Sequence, residues 1–357
     1  MTNGGRAPER LGGVRALGGH SAPKHGRSEA RFGAGLGDAN RPMFMVGRMS
    51  WTDTNWLAET HAWIGAQLPV TGEIEQPHVR PWSTVMRVPT ADGPVWFKAN
   101  TESLRYEAAL VEVLAEERPD AVPALLAVDR ERGWMLMADA GERLREIVGR
   151  ERSLERWLDV LPLYAGIQID LVPRAEELLQ LGVPDMRLAA LPAKFAAFLS
   201  RHEGQLGDVE QRVRARLPWI AEACEKLGSY GVPETIQHDD FHDGQVFVRD
   251  GRYQLMDWGD ACIAHPFLTL SVTLEGGLAW GLDDVERSVD VTPFRNAYLE
   301  EFRRRGVSGD LDAACDLALR VGWICRVVNG EPEADAASSR ARLRMFLEGD
   351  RRSSWIQ

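Results

Sequence analysis

Lysine is nearly missing from this chain. Of its 42 basic residues only Lys24, Lys98, Lys194 and Lys226 are not arginine. A sequence so biased towards guanidinium keeps a lysine by chance or where a compact ammonium is wanted, which singles out Lys98. Cysteine is scarce as well. Cys224, Cys262, Cys315 and Cys325 make no CxxC pair and no zinc spacing, so they read as small buried residues of a reducing compartment. No apolar run approaches the ~18 residues of a membrane span, and the N-terminus lacks the apolar core of a signal peptide. Both absences point to a cytoplasmic protein without a membrane partner. Positive charge is short overall: a net charge of −11 argues against a nucleic-acid partner, whose phosphates want clustered basic residues.

What is present suffices for a two-lobed globular unit: 357 residues, 44% hydrophobic and 27% charged. Residues 1–45, rich in Gly, Arg and Ala without a period, are expected to be a disordered tail. An amphipathic helix is expected over 51–68, with Trp56, Leu57, Trp63, Ile64 and Leu68 in phase. Strand-like runs follow: "QPHVRPWSTVMRVPT", then "PVWFKAN" after the turn at Asp92-Gly93. A helix over 101–117 precedes a strand pair, "ALLAVD" and "GWMLMAD". Beyond Gly141 the pattern is mostly helical: 143–150, 153–181, 188–200, 207–229, 283–305, 311–329 and 334–348. A strand-rich first part and a helix-rich second part predict an α+β chain of two lobes, 46–138 and 139–357.

One stretch interrupts the helices: "IQHDDFHDGQVFVRDGRYQLMDWGD", residues 236–260. Asp250-Gly251 between two β-prone runs predicts a two-residue hairpin turn. That turn pairs Val248 with Tyr253 and Val246 with Leu255, setting Gln245 opposite Met256 and Gly244 opposite Asp257. Strands lie about 4.8 Å apart, so Gln245 and Asp257 emerge together at the open end, where the loop carrying Asp240 enters. Two carboxylates and an amide oxygen suit a hard cation, Mg²⁺ in particular. A second reading gathers His238, Asp239, Asp240, His242 and Asp243 into a metallo-hydrolase cluster.

In "VWFKAN" the strand period puts Trp96 and Lys98 on one face. On the following helix Glu107 falls on the apolar stripe of Leu104, Ala108 and Val111, where an acid needs a cationic partner. Lys98 is the nearest candidate.

Together these parts resemble the protein-kinase-like fold, specifically the aminoglycoside phosphotransferase family of small-molecule kinases. "HDDFHDGQ" is similar to that family's H-G-D-x-H-P-x-N loop, and "MDWGDACIAHP" to its I-D-W-x-x-A-x-x-G-D-P segment. The resemblance implies a small strand-rich N-lobe, a larger helical C-lobe, and transfer of the ATP γ-phosphate to a small-molecule hydroxyl with Mg²⁺ as cofactor. It implies that Asp240 orients the acceptor hydroxyl, that Gln245 and Asp257 hold the metal, and that Lys98 with Glu107 holds the phosphates. His238 would be a structural loop residue, the backbone from Met137 to Asp139 would meet the adenine, and Ser83 and Thr84 of "RPWSTV" stand where the phosphate loop would be. Asp239 replaces the usual Gly, Asp243 the Pro, Gln245 the Asn and His265 an Asp. These departures leave a non-catalytic, nucleotide-binding pseudokinase as the alternative. The acids Glu275, Asp283, Asp284 and Glu286 could attract amino groups of an acceptor.

Overall fold

The two faces of one strand organise the first half of the fold. The computed structural model describes residues 51–331 and 334–352, with side chains to residue 348. The tail expected over 1–45 therefore lies outside the described residues. Helix α1 (Thr54–Gln67) starts where the Asp53 carboxylate accepts from the N–H groups of Asn55 and Trp56, satisfying two of the donors a helix start leaves open. Strands β1 (Glu75–Val79), β2 (Ser83–Thr90) and β3 (Gly93–Asn100) form a meander. After helix α2 (Tyr106–Glu117), β4 (Leu125–Asp129) and β5 (Trp134–Ala138) complete an antiparallel sheet of order β1-β2-β3-β5-β4. The run read from the sequence as one strand-like piece is split between β1 and β2, the N–H of Arg80 donating to the carbonyl of Ser83 across the turn.

Side-chain alternation divides this sheet. Met86, Val88, Phe97, Ala99, Trp134 and Leu136 face α1 and join Trp51, Trp56 and Ile64 in one buried cluster. Edge-to-face pairs tie it together, among them Phe97 with Trp134 at 5.6 Å and Trp63 with Phe97 at 5.8 Å. Each such pair adds about 0.5–1.5 kcal/mol beyond its area. The opposite face carries Lys98, paired in register with Val85 on one side and Met135 on the other.

The chain leaves the sheet through Asp139–Gly141. Gly141 has φ 90°, and a Cβ there would lie 2.2 Å from the carbonyl oxygen of Val248, so only glycine lets the connector pass. Strand β6 (Glu142–Arg143) then pairs with the hairpin described below. Helices α3 (Leu144–Glu151), α4 (Trp157–Asp170), α5 (Ala175–Gln180), α6 (Leu191–Arg201), α7 (Glu210–Arg214) and α8 (Leu217–Ser229) follow. The helix expected over 153–181 is interrupted at Val172–Arg174, where Pro173 removes a donor. Strand β7 (Thr235–Gln237) leads to the hairpin of β8 (Val246–Arg249) and β9 (Arg252–Leu255), and β10 (Cys262–Ala264) returns to pair with β7.

The last helices are α9 (Thr292–Arg304), α10 (Leu311–Asn329) and α11 (Ala336–Arg352). The helix expected from 283 begins instead at Thr292-Pro293. Asp284 and Arg287 upstream have positive φ, 62° and 55°, which a right-handed helix cannot contain. Among the described residues no helix is long and apolar enough to cross a membrane. Helix α10 comes very close to the chain after β10: a Cβ on Gly322 would meet the Leu268 carbonyl oxygen at 2.2 Å. That approach brings the far end of α10 up to the loop after β7.

Candidate active site

Three elements meet at the Lys98 ammonium. It donates to Glu107 at 2.8 Å (Oε1) and 2.7 Å (Oε2), and to Asp257 Oδ1 at 2.6 Å. Asn100, two residues on and thus on the same face of β3, donates to Glu107 Oε2 at 2.6 Å. Glu107 is buried on the first turn of α2 as the stripe argument requires, and its charge is met from two sides. Burial alone would depress the ammonium. Asp257 and then Glu107 outweigh it, holding the lysine above its ordinary value and therefore charged.

The hairpin has the register derived from its turn. Val246 pairs with Leu255 and Val248 with Tyr253, and the Met256 N–H donates to the Gln245 carbonyl at 2.8 Å. Gln245 and Asp257 thus flank the open end. Asp257 has φ 63°, an unusual backbone for a residue with a side chain, and its carboxylate is 53% exposed. Desolvation opposes its charge, but the adjacent Lys98 holds the carboxyl below the usual range.

Asp240 lies on the loop that follows β7. Its Oδ1 forms an ion pair with Arg326 Nη2 at 3.1 Å, and its Oδ2 lies 3.5 Å from His242 Nε2. Burial disfavours its charge, yet Arg326 and then His242 keep the carboxyl well below normal. His242 Nδ1 accepts from the Gly244 N–H at 2.9 Å, so the neutral ring carries its hydrogen on Nε2, towards Asp240. His238 is fully buried, its Nε2 2.9 Å from the Met256 carbonyl and its ring 4.9 Å from that of Trp258. It joins the loop to the segment after β9 that carries Asp257. Asp239, where the resembled loop has Gly, has φ 63°, a backbone that Asp tolerates better than most residues. Burial pushes its carboxyl up to about 6, with Arg326 and Asn329 opposing.

Other expected positions fare differently. Ser83 lies on the Lys98 face of β2 and is buried there. Thr84 does not, so it lies away from the face on which a phosphate contact was expected of it. It faces the opposite side, donates to the His78 carbonyl at 2.8 Å and accepts from Gln76 at 2.9 Å, fastening β1 to β2. Met137 is buried within β5. Asp139 takes the Trp96 indole N–H at 2.8 Å and the Gly141 N–H at 2.8 Å on its carboxylate, while its carbonyl accepts from Arg249. Of the acids considered for an acceptor, Asp283 pairs with Arg152 at 2.6 Å and Glu275 accepts from the Trp323 indole at 2.7 Å.

His265, which stands where the resembled segment has an aspartate, caps the turn that follows it. Its Nδ1 accepts from the Phe267 N–H at 3.3 Å, capping the 3-10 turn Pro266–Thr269. The ring must be neutral to accept, and burial pushes its pKa down to about 3 from an ordinary 6.5. A pKa depressed in the fold gives stability that is present above pH 6.5 and lost as pH falls from there towards 3. Wild type is therefore expected to lose about 2 kcal/mol more between pH 7 and pH 5 than His265→Asn, which keeps a capping oxygen. Urea denaturation at the two pH values checks this, and equal losses would refute it.

Two groups at this site had no signal in local sequence. Arg326 arrives from α10, and His78 shares the Lys98 face because it pairs with Val85, which pairs with Lys98. Among the described residues no group of three or more His, Cys, Asp or Glu is placed to hold a metal ion, so the histidine-based reading lacks its ligands.

The chain matches the model of a phosphotransferase enzyme family over residues 84–306. Its structure is similar to that of an ADP-bound aminoglycoside phosphotransferase, APH(2'')-Ib, with 16% identity, a TM-score of 0.50, and 82% of this chain and 98% of that one covered. It is similar to an ethanolamine kinase from Plasmodium vivax at 10% identity and TM-score 0.56, covering 84% and 89% of the two chains. A choline kinase from Cryptosporidium parvum gives 10% and 0.57, covering 82% and 96%. At these identities the likeness is one of fold, the protein-kinase-like fold with its small strand-rich and larger helical lobes. No curated protein matches the chain in sequence.

Proposed function

Because the chain belongs to the phosphotransferase enzyme family, we propose that it moves the γ-phosphate of ATP, with Mg²⁺, to a hydroxyl group of a small molecule. The observation that carries this reading is the convergence of a charged, buried lysine with a half-exposed aspartate on Lys98 Nζ. Such a pair has little structural reason to keep one partner open to solvent, and a clear one if phosphate and cation come there.

Each residue then has a task. Lys98, held in place by Glu107, meets the phosphates, with Ser83 beside it on the same face of the sheet. Gln245 and Asp257 hold Mg²⁺, Oδ2 of Asp257 being the oxygen that Lys98 does not take. When bound, the cation neutralises phosphate charge. Their donor set fits: two side-chain oxygens suit a hard ion that keeps water and phosphate in the rest of its shell. Asp240 aligns the acceptor hydroxyl for in-line attack and accepts its proton. His238 keeps the loop on the hairpin strand. The backbone of Met137–Asp139 meets the adenine, and the lobes divide there, 46–138 clamping the nucleotide and 139–357 carrying the acceptor.

A thermal-shift titration with ATP tests this, with and without Mg²⁺, on wild type and on Asp257→Asn. Binding stabilises by mass action, about 2.7 kcal/mol at 100 times Kd. Wild type is expected to shift only with Mg²⁺ present, and the variant to lose that shift. The absence of any shift in wild type would defeat the proposal. Release of inorganic phosphate from ATP, even slowly to water, separates a working kinase from a pseudokinase.

A further inference from the structure

Asp240 does not stand alone in the fold. The guanidinium of Arg326, on the last turn of α10, donates from Nη2 to Asp260 Oδ2 at 3.0 Å and lies 3.1 Å from Asp240 Oδ1 in an ion pair. Its Nη1 lies 3.6 Å from Asp239 Oδ2, and the side chain is 7% exposed. One buried cation thus spans three aspartates from two segments, the loop after β7 and the turn before β10. The helix that supplies it is tied to the same segments. Asn329, three residues on and so on the same side of α10, donates to Asp239 Oδ2 at 2.9 Å and to the Asp260 carbonyl at 2.6 Å. The arrangement is closely packed: a Cβ on Gly330 would lie 2.8 Å from Arg326 Nη1 and 2.5 Å from Arg342 Nη1.

We propose that Arg326 is a positioning residue for phosphoryl transfer, fixing the Asp240 carboxylate in the single orientation in which it can align an acceptor hydroxyl. The inference rests on the phosphotransferase reading and extends it. With Oδ1 in an ion pair with the guanidinium and Oδ2 beside His242, the carboxylate cannot rotate without moving an oxygen away from a buried cation. Transfer through a loose transition state depends on that alignment more than on basicity. A guanidinium that makes Asp240 a weaker base costs little if alignment is its main contribution. The competing account makes Arg326 only the counter-ion that lets three acids be buried.

The two accounts part in kinetics. The full chain is assayed for phosphate release from ATP and Mg²⁺, and for ATP-induced thermal shift, as wild type, Arg326→Met, Arg326→Lys and Asn329→Ala. Arg326→Met is expected to lower kcat about 100-fold, the scale of a small misplacement at a reacting centre, with the KM for ATP within about threefold of wild type. Arg326→Lys, which still offers a cation to Oδ1, is expected to recover part of kcat. Asn329→Ala loosens the same acids without touching Asp240, so it is expected to lower Tm and leave kcat near wild type. An unchanged kcat in Arg326→Met overturns the proposal. So does a parallel fall of Tm and kcat in Arg326→Met and Asn329→Ala. If Arg326→Met does not fold, Arg326→Lys decides: reduced kcat at unchanged KM supports the proposal, and wild-type kcat overturns it. A wild type that releases no phosphate from ATP but melts normally defeats the phosphotransferase reading itself, and this inference with it.

Discussion

Replacing Asp240 by alanine is expected to reduce phosphoryl transfer by roughly 10²- to 10⁴-fold, the range a positioned proton acceptor contributes. The ATP-induced thermal shift should survive nearly intact. The separation follows from where the side chain sits. Asp240 is held by Arg326 and His242, both from the helical half, whereas Lys98 meets both Asp257 and Glu107. Removing Asp240 leaves the second cluster whole. It also frees Arg326 from one of three acids, and Asp260 and Asp239 remain to balance it. The fold should therefore tolerate the change. Turnover by Asp240→Ala equal to wild type, measured as phosphate released per enzyme at saturating ATP, would remove this residue from the mechanism.

Lys98→Met should show the opposite profile, damaging stability and activity together. The ammonium is the counter-charge of Glu107, which is 1% exposed. Breaking a buried pair from one side costs about 3–5 kcal/mol, because a charge is left without a partner. Losing the charge that meets the phosphates should cost a further 10²–10³-fold or so in turnover, as for other preorganised electrostatic contacts. The double variant Lys98→Met, Glu107→Gln separates the two effects. Glutamine needs no counter-charge and can still accept from Asn100, so most of the stability should return while turnover stays low. Urea denaturation and a single-turnover assay read the two quantities, and a double variant that regains activity would show that Lys98 serves the fold alone.

The sequence was most informative where local chemistry decides geometry. Asp250-Gly251 sets its own turn, and the turn sets the register that brings Gln245 and Asp257 side by side. Glu107 on an apolar stripe could be paired with Lys98 because a buried acid has few solutions. The failures are failures of parity and of distance along the chain. Ser83 and Thr84 are neighbours on a strand, so one face of the sheet could receive only one of them. The segment 76–90, read as one strand-like run, contains a turn that separates β1 from β2. Arg326 lies more than 60 residues beyond any acid it holds and looks, in sequence, like any arginine of an arginine-rich helix. Only the close passage of α10 at Gly322 brings it there. The helix start at Thr292 was written in its Thr-Pro pair, inside the longer helix expected from 283.

The connector at Asp139–Gly141 has a mechanical consequence. Asp139 is tied to Trp96 on β3 and, through its carbonyl, to Arg249 on the hairpin, and Glu142 and Arg143 just beyond Gly141 pair with β8. The hairpin that carries Gln245 and Asp257 is thus stapled to the connector. Lys98 belongs to the sheet, so its 2.6 Å contact with Asp257 is a second fastening between sheet and hairpin, beside the one that Asp139 makes.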